Sequence, residues 1–127
     1  MVENHHTSIE IKILKLQKLV DEDLSDYTHN MVLKYPRVER FMLCKRIEDS
    51  VAKILRLTIE VKKKYYKKTS FRDMDIEMDY LRRLIRFSYR HEYISLHQFE
   101  VWSKTLNEAA IIVHDLVKVA TKLEGSN

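Results

Sequence analysis

A chain of 127 residues with a hydrophobic share of 45% and a net charge of +4 is long enough to bury one core, too short for two, and too apolar to stay disordered. No uncharged run approaches the roughly 20 residues that a bilayer-spanning helix needs, and the opening Met1-Val2-Glu3-Asn4-His5-His6 lacks the basic-then-apolar order of a secretory signal. The lone Cys44 cannot close an internal disulfide, so the expectation is one soluble domain over residues 1–127, in a reducing compartment such as the cytoplasm and without a membrane partner.

With a single glycine, Gly125, and a single proline, Pro36, helix ends must be read from capping chemistry. Thr7 and Glu10 have the spacing of a capping box and open a first helix over about 7–34, striped by Ile9, Ile13, Leu16, Val20, Leu24, Tyr27 and Met31. Pro36 cannot continue that helix but suits the first turn of a second, over about 36–68, where its missing N–H would have no partner anyway. That helix carries Cys44, Ile47, Val51, Ile54, Thr58, Val61 and Tyr65 at alternating steps of three and four. Ser70 and Asp73 have N-cap spacing for a third helix over about 70–91, which presents Phe71, Met74, Met78, Leu81, Ile85 and Ser88. Ser95 and Gln98 form a second capping box, flanked by Ile94 and Phe99 at the positions of a hydrophobic staple. The fourth helix, about 95–124, buries Phe99, Trp102, Leu106, Ala109, Val113, Leu116, Ala120 and Leu123, with Gly125 as its stop. Four long helices on short connections predict an all-α, antiparallel up-down-up-down four-helix bundle.

The second and fourth helices are apolar beyond these stripes, at Leu43, Leu55, Leu57 and Ile59 and at Val101, Ile111, Ile112, Val117 and Val119. Surplus of this kind fits a subunit interface, hence a homo-oligomer, or else a wide bundle core.

Charge is the strongest functional signal. Seventeen of the 23 Lys and Arg residues lie between Lys34 and Arg90 against eight carboxylates, so this stretch carries +9 while both ends of the chain are acidic. A concentrated positive face attracts polyanions, because each phosphate it neutralises releases condensed counterions. On the third helix Arg82, Arg86 and Arg90 recur every fourth position with Arg83 beside them, near Tyr80, Phe87 and Tyr89. Guanidinium forks suit phosphate, and aromatic rings can stack on unpaired bases. On the second helix Arg46 and Lys53 share one side and Arg56 and Lys63 another, before the run Lys62-Lys63-Lys64-Tyr65-Tyr66-Lys67-Lys68. Part of this charge has a plainer reading, since cations complement a helix C-terminus and Asp79 is placed to pair with Arg83. A net +9 exceeds what such pairs cancel.

Signs of catalysis are sparse, and no metal or cofactor is expected. Asp26-Tyr27-Thr28-His29 is a single approximation to the paired Glu-x-x-His motifs of di-iron bundles. His5-His6 reads as a frayed end, and Cys44, among Ile and Val, reads as a small core hydrophobe. Arg86-Phe87-Ser88-Tyr89-Arg90-His91 has the Arg-x4-His spacing of helical HEPN ribonucleases, a resemblance that would give Arg86 the scissile phosphate and His91 acid–base work.

The segment Tyr35-Pro36-Arg37-Val38-Glu39-Arg40-Phe41-Met42-Leu43-Cys44-Lys45-Arg46-Ile47 resembles the aromatic-Pro-x-x-Glu-Arg-Phe-x-Leu-x-x-Arg-Ile signature of a family of small four-helix bundle proteins. The family includes the accessory variability determinant (Avd) of diversity-generating retroelements and relatives encoded in 23S rRNA intervening sequences. Leu81-Arg82-Arg83-Leu84-Ile85-Arg86 and Ile94-Ser95-Leu96-His97-Gln98-Phe99-Glu100 fit the same pattern in the same order. The resemblance implies a homopentamer with a basic surface that binds a reverse transcriptase and its template RNA, without active-site chemistry of its own. It carries over Arg37, Arg40, Arg46, Arg82, Arg83 and Arg86, although Arg40 and Arg46 also suit bracing of helix ends. Lys45 stands where Gln is common, and Val113-His114-Asp115-Leu116 where many relatives carry a Gly-Gly-Trp-like stretch. The candidate nucleic-acid contacts are thus Arg37, Arg40, Arg46, Lys53, Arg56, Lys63, Lys64, Lys67, Arg82, Arg83, Arg86 and Arg90. Three functions stand at this point: a non-enzymatic RNA- or DNA-binding accessory of a reverse transcriptase, a protein scaffold of the intervening-sequence type, and a HEPN-like ribonuclease.

Overall fold

The structure, a computed structural model, describes the backbone of residues 2–125 and the side chains of residues 8–123. Among these residues it is helical without a strand. The first rod is one uninterrupted helix in three parts: α1 (Val2–Lys18), a π-helical turn (Leu19–Leu24) and α2 (Ser25–Val32). In the wide turn the Ser25 hydroxyl donates to the Val20 carbonyl at 2.6 Å, while Val20 and Leu24 stay buried. Because α1 already begins at Val2, Thr7 lies within the helix and not ahead of it, so the expected start near residue 7 is corrected. The Thr7 side chain, like those of His5 and His6, lies outside the described residues.

The second rod, α3 (Leu43–Lys63), starts seven residues later than the proline suggests. Pro36 has a helical φ of −55° but a ψ of 144°, which turns the chain outward. A short 3-10 turn, Arg37–Glu39, follows before α3 opens. The reason lies in tertiary anchoring: Tyr35 is drawn into the core, and the Glu39 carboxylate accepts the Tyr93 hydroxyl at 2.8 Å, so the intervening segment must loop. Both α3 and α4 (Lys68–Arg90) then end in the same way. After α3, Tyr66 N donates to Val61 O at 2.8 Å and Tyr65 N to Lys62 O at 3.3 Å; after α4, Tyr93 N donates to Ser88 O at 2.9 Å and Glu92 N to Tyr89 O at 3.0 Å. These are Schellman closures, whose pivotal residue is usually glycine. Here Tyr65 (φ 57°) and Glu92 (φ 61°) take that left-handed role, and Tyr66 (φ 59°) extends it.

Two sequence expectations fail at the first of these turns. Tyr65 does not continue the inward stripe of α3 but stands outside the helix, 87% exposed. Ser70 does not cap α4: the helix begins at Lys68, and Ser70 is buried inside its first turn, where it packs and does not cap. The last cap is as expected. Ser95 N donates to Gln98 Oε1 at 2.8 Å and Gln98 N to Ser95 Oγ at 3.1 Å, opening α5 (Leu96–Gly125) over a buried Ile94.

The stripes meet in one core. Trp102 is fully buried, with its indole N–H donating to Thr28 Oγ1 at 3.0 Å, and Tyr27 OH reaches the Gln98 carbonyl at 3.3 Å, so α2 is tied to the start of α5. Gln17 Nε2 bonds Thr58 O at 3.2 Å, and the Cys44 thiol donates to Val32 O at 3.7 Å. Along the first rod and α3 the partners thus run in opposite order, as a short connection requires. Of the surplus apolar residues, Leu43 and Leu57 join the core, Leu55, Ile112, Val117 and Val119 pack against it partly buried, and Val101 is half-buried. Ile59 and Ile111 remain exposed, as do Leu33, Val38, Phe41 and Met42 around the 3-10 turn. Among the described residues no helix is long and apolar enough to cross a membrane.

Two variants probe this architecture. Glu92→Gly removes a left-handed conformation that costs a non-glycine residue about 1–2 kcal/mol, partly offset by the greater freedom of glycine in the unfolded chain. It should raise stability by about 0.5–1 kcal/mol in a urea melt, and a fall would show that the Glu92 side chain contributes more than its backbone costs. Tyr35 sits beside Ser88, whose own hydroxyl is used on the Leu84 carbonyl at 2.9 Å, and its buried phenol oxygen makes no hydrogen bond among the described residues. Burial pushes that phenol up from the ordinary 10.0 to about 12. The folded chain then keeps a proton that the unfolded chain has released, so stability drops as pH rises from 10 toward 12. Tyr35→Phe should match or exceed the parent at neutral pH, where an unmade hydrogen bond is lost at no cost, and gain about 1 kcal/mol more on it by about pH 11.

Candidate nucleic-acid interface

The twelve basic residues singled out in the sequence fall into three groups along the molecule. Arg37 and Arg40 lie on the segment between α2 and α3, at the end of the bundle to which the C-terminus of α4 also belongs. A chain of rings joins the two: Tyr35 and Tyr93 lie 5.4 Å apart, Tyr93 and His91 6.1 Å, and His91 and Phe87 stack at 4.1 Å. Arg90 closes this end, its guanidinium carbon 5.8 Å from the centre of the Phe87 ring, a cation–π arrangement. The Tyr93 phenol is raised, chiefly because its proton is shared with the Glu39 carboxylate, which keeps this bracket intact at neutral pH.

At the opposite end are Lys63, Lys64 and Lys67. The 21 residues of α3 separate the ends by roughly 30 Å at 1.5 Å per residue. Between them run Arg46, Lys53 and Arg56 on α3 and Arg82, Arg83 and Arg86 on α4.

Several of these cations are engaged. Lys53 Nζ lies 3.6 Å from Glu77, a carboxylate left only 13% exposed that also accepts the buried Ser50 hydroxyl at 3.4 Å. Arg56 and Lys64 approach Glu60 at 3.4 and 3.8 Å. Arg82 donates to Asp79 at 3.1 Å and across to Asn107 of α5 at 3.2 Å, and Arg83 stands 3.8 Å from the other Asp79 oxygen. Every acid in these pairs belongs to α3 or α4. Among the described residues none of the twelve cations is paired with an acid of the first rod or of α5, and seven of them, Arg37, Arg40, Arg46, Lys63, Lys67, Arg86 and Arg90, make no ion pair at all. These pairs are mostly exposed, so each holds its side chain loosely.

The aromatic residues expected beside the arginine row are spread over different surfaces. Tyr89 stacks on Phe99 at 4.9 Å, Phe87 carries His91, and Tyr80 lines a groove between α3 and α4 with Lys53, Leu57 and Glu77. The row therefore offers guanidinium groups more than stacking surfaces. What the sequence reading missed is Tyr65, exposed among lysines; the absence of any glycine near residue 65 left no sign that the helix reverses there. Arg86 and His91 are both exposed near the end of α4, with the imidazole against Phe87. Among the described residues no three His, Cys, Asp or Glu side chains gather as metal ligands would. Cys44 is buried and its thiol raised, first by desolvation.

A family model described as bAvd-like matches residues 13–120. The chain belongs to the bAvd-like family. This is the family that the Tyr35–Ile47 block and the two later blocks resemble, and the match takes in all twelve basic residues as well as the two Schellman turns. No curated protein and no solved structure matches the chain.

The different surroundings of Arg82 and Arg86 give separable outcomes. Arg82→Ala breaks bonds to Asp79 and Asn107 and should lower stability by about 0.5–1 kcal/mol, whereas Arg86→Ala, which breaks none, should leave the melting temperature unchanged. Equal loss in both would mean that Arg86 has a structural partner after all.

Proposed function

We propose that this member of the bAvd-like family is a non-enzymatic accessory protein of a reverse transcriptase in a diversity-generating retroelement, and that it binds template RNA through the basic surface of α3 and α4. The observation that carries the reading is that, among the described residues, the acids of the outer rods leave this surface uncompensated: seven of the twelve cations lack an ion pair, and the acids that hold the other five are part of the same face. Phosphate contacts of this kind position a strand without reading its sequence, which suits a cofactor of copying. Family membership supports an accessory role, and the reverse transcriptase and the support of mutagenic retrohoming follow from that role by resemblance.

Self-association belongs to the same reading. The exposed Leu33, Val38, Phe41 and Met42, together with Ile59 and Ile111, are more apolar surface than one small bundle needs to show water. A homo-oligomer, a pentamer by resemblance, would cover part of it.

The test is salt. Binding of a labelled RNA strand to the purified chain should weaken linearly in a plot of log affinity against log salt, with a slope near −0.7 for each phosphate contacted. Seven unpaired cations give an upper expectation of roughly −5. A slope near zero would remove nucleic acid from the function and leave a scaffold for protein partners.

A further inference from the structure

Tyr65 is the least expected residue of the fold. It occupies the left-handed region at φ 57°, where a bulky side chain is a genuine outlier, and it does so 87% exposed. Its neighbour Tyr66 shares the strain at φ 59° but packs partly buried against the core, which offsets the cost. Tyr65 has no such return: its ring projects into solvent, and its hydroxyl makes no hydrogen bond among the described residues. Glycine would close the same Schellman turn with less strain.

The surroundings of the ring indicate what it faces. Lys62, Lys63, Lys64, Lys67 and Lys68 lie within three residues of it, and Lys62, Lys63 and Lys67 make no ion pair among the described residues. Cations at the end of α3 are explained by the helix dipole, but that dipole gives no reason for an aromatic ring among them. Along α3 and α4 the ring stands alone: between Ile59 and Ile76 no other large apolar side chain is exposed, and the exposed Ile11 and Leu14 belong to the first rod. A protein partner docks on clusters of apolar groups, such as Val38, Phe41 and Met42 at the other end of the bundle. A base needs only one ring with phosphate-binding charges on either side.

We propose that Tyr65 is a stacking platform for an unpaired base of single-stranded nucleic acid, with Lys62, Lys63 and Lys67 holding the flanking phosphates. This rests on the nucleic-acid reading above and adds to it a preference for single strands over duplex, because a paired base has no free face to offer. The platform stands about 30 Å from Arg37 and Arg40, so a strand that reached both would run the length of α3.

The experiment compares the parent chain, Tyr65→Gly and Tyr65→Phe in binding a fluorescein-labelled mixed-sequence RNA strand and the duplex that it forms with its complement. Tyr65→Gly should bind the single strand at least about fivefold more weakly, the low end of one base–aromatic stack, while duplex binding stays as in the parent. The same variant should melt no lower than the parent, since glycine relieves the left-handed backbone, so weaker binding cannot be ascribed to unfolding. Tyr65→Phe keeps the ring and should bind like the parent. If Tyr65→Gly binds the single strand as tightly as the parent, or loses strand and duplex alike, the platform is wrong although the basic surface stands. If the parent binds neither, both readings fall.

Discussion

Long helices pack side by side only where the chain can reverse sharply between them, and this chain must do so almost without glycine. Its two reversals that flank α4 are built from the same device, a left-handed residue followed by an aromatic one whose N–H reaches back to the last turn. Tyr66 and Tyr93 are those aromatic residues, and both lie against the core. Burial of the second ring offsets strain at the first position, so local geometry is held by tertiary packing and not by backbone preference. Tyr93 does more, since its hydroxyl holds Glu39 and with it the loop that leads into α3. The alignment of α3, α4 and α5, and hence of every cation on them, depends on these two corners.

This dependence explains what the sequence discloses and what it hides. Apolar periodicity and side-chain capping are local, and they read correctly: Ile13, Ile54, Met78 and Leu106 are each buried where their stripes put them, and Ser95 and Gln98 make both bonds of their box. Pro36 misleads because φ alone does not start a helix; the anchoring of Tyr35 and Glu39 settles ψ, and both partners are distant in sequence. Ser70 and Tyr65 mislead for a related reason. An aromatic residue at the pivot of a Schellman turn has no compositional signature, so the end of α3 and the start of α4 are visible only once Tyr66 is seen to pack inward. The candidate interface follows the same division. Where the charge lies is plain from counting, but which cations are spent on Glu60, Glu77 and Asp79 is a property of the folded surface.

That surface has an internal grading. Lys53 neutralises a carboxylate that is nearly out of water and therefore serves the α3–α4 contact, whereas Arg86 and Arg46 make no ion pair among the described residues. The paired cations are not lost to a ligand, because a phosphate can outcompete an exposed carboxylate held loosely in solvent. They are released at a higher cost. The unpaired ones need no such release, and they lie both at the ends of α3 and, as Arg46 and Arg86, between those ends.

The wide turn at Leu19–Leu24 bears on how the first rod tolerates change in length. A π turn accommodates one more residue than an α turn while the helix on either side keeps its phase, and here Ile13 and Leu16 before it face the same core as Leu24 and Met31 after it. Excision of a single residue from the bulge would tighten it to ordinary α geometry and leave both apolar faces pointing inward. The same excision from α3 or α4, which have no such slack, would swing half of the helix by about 100° and carry its buried stripe toward water.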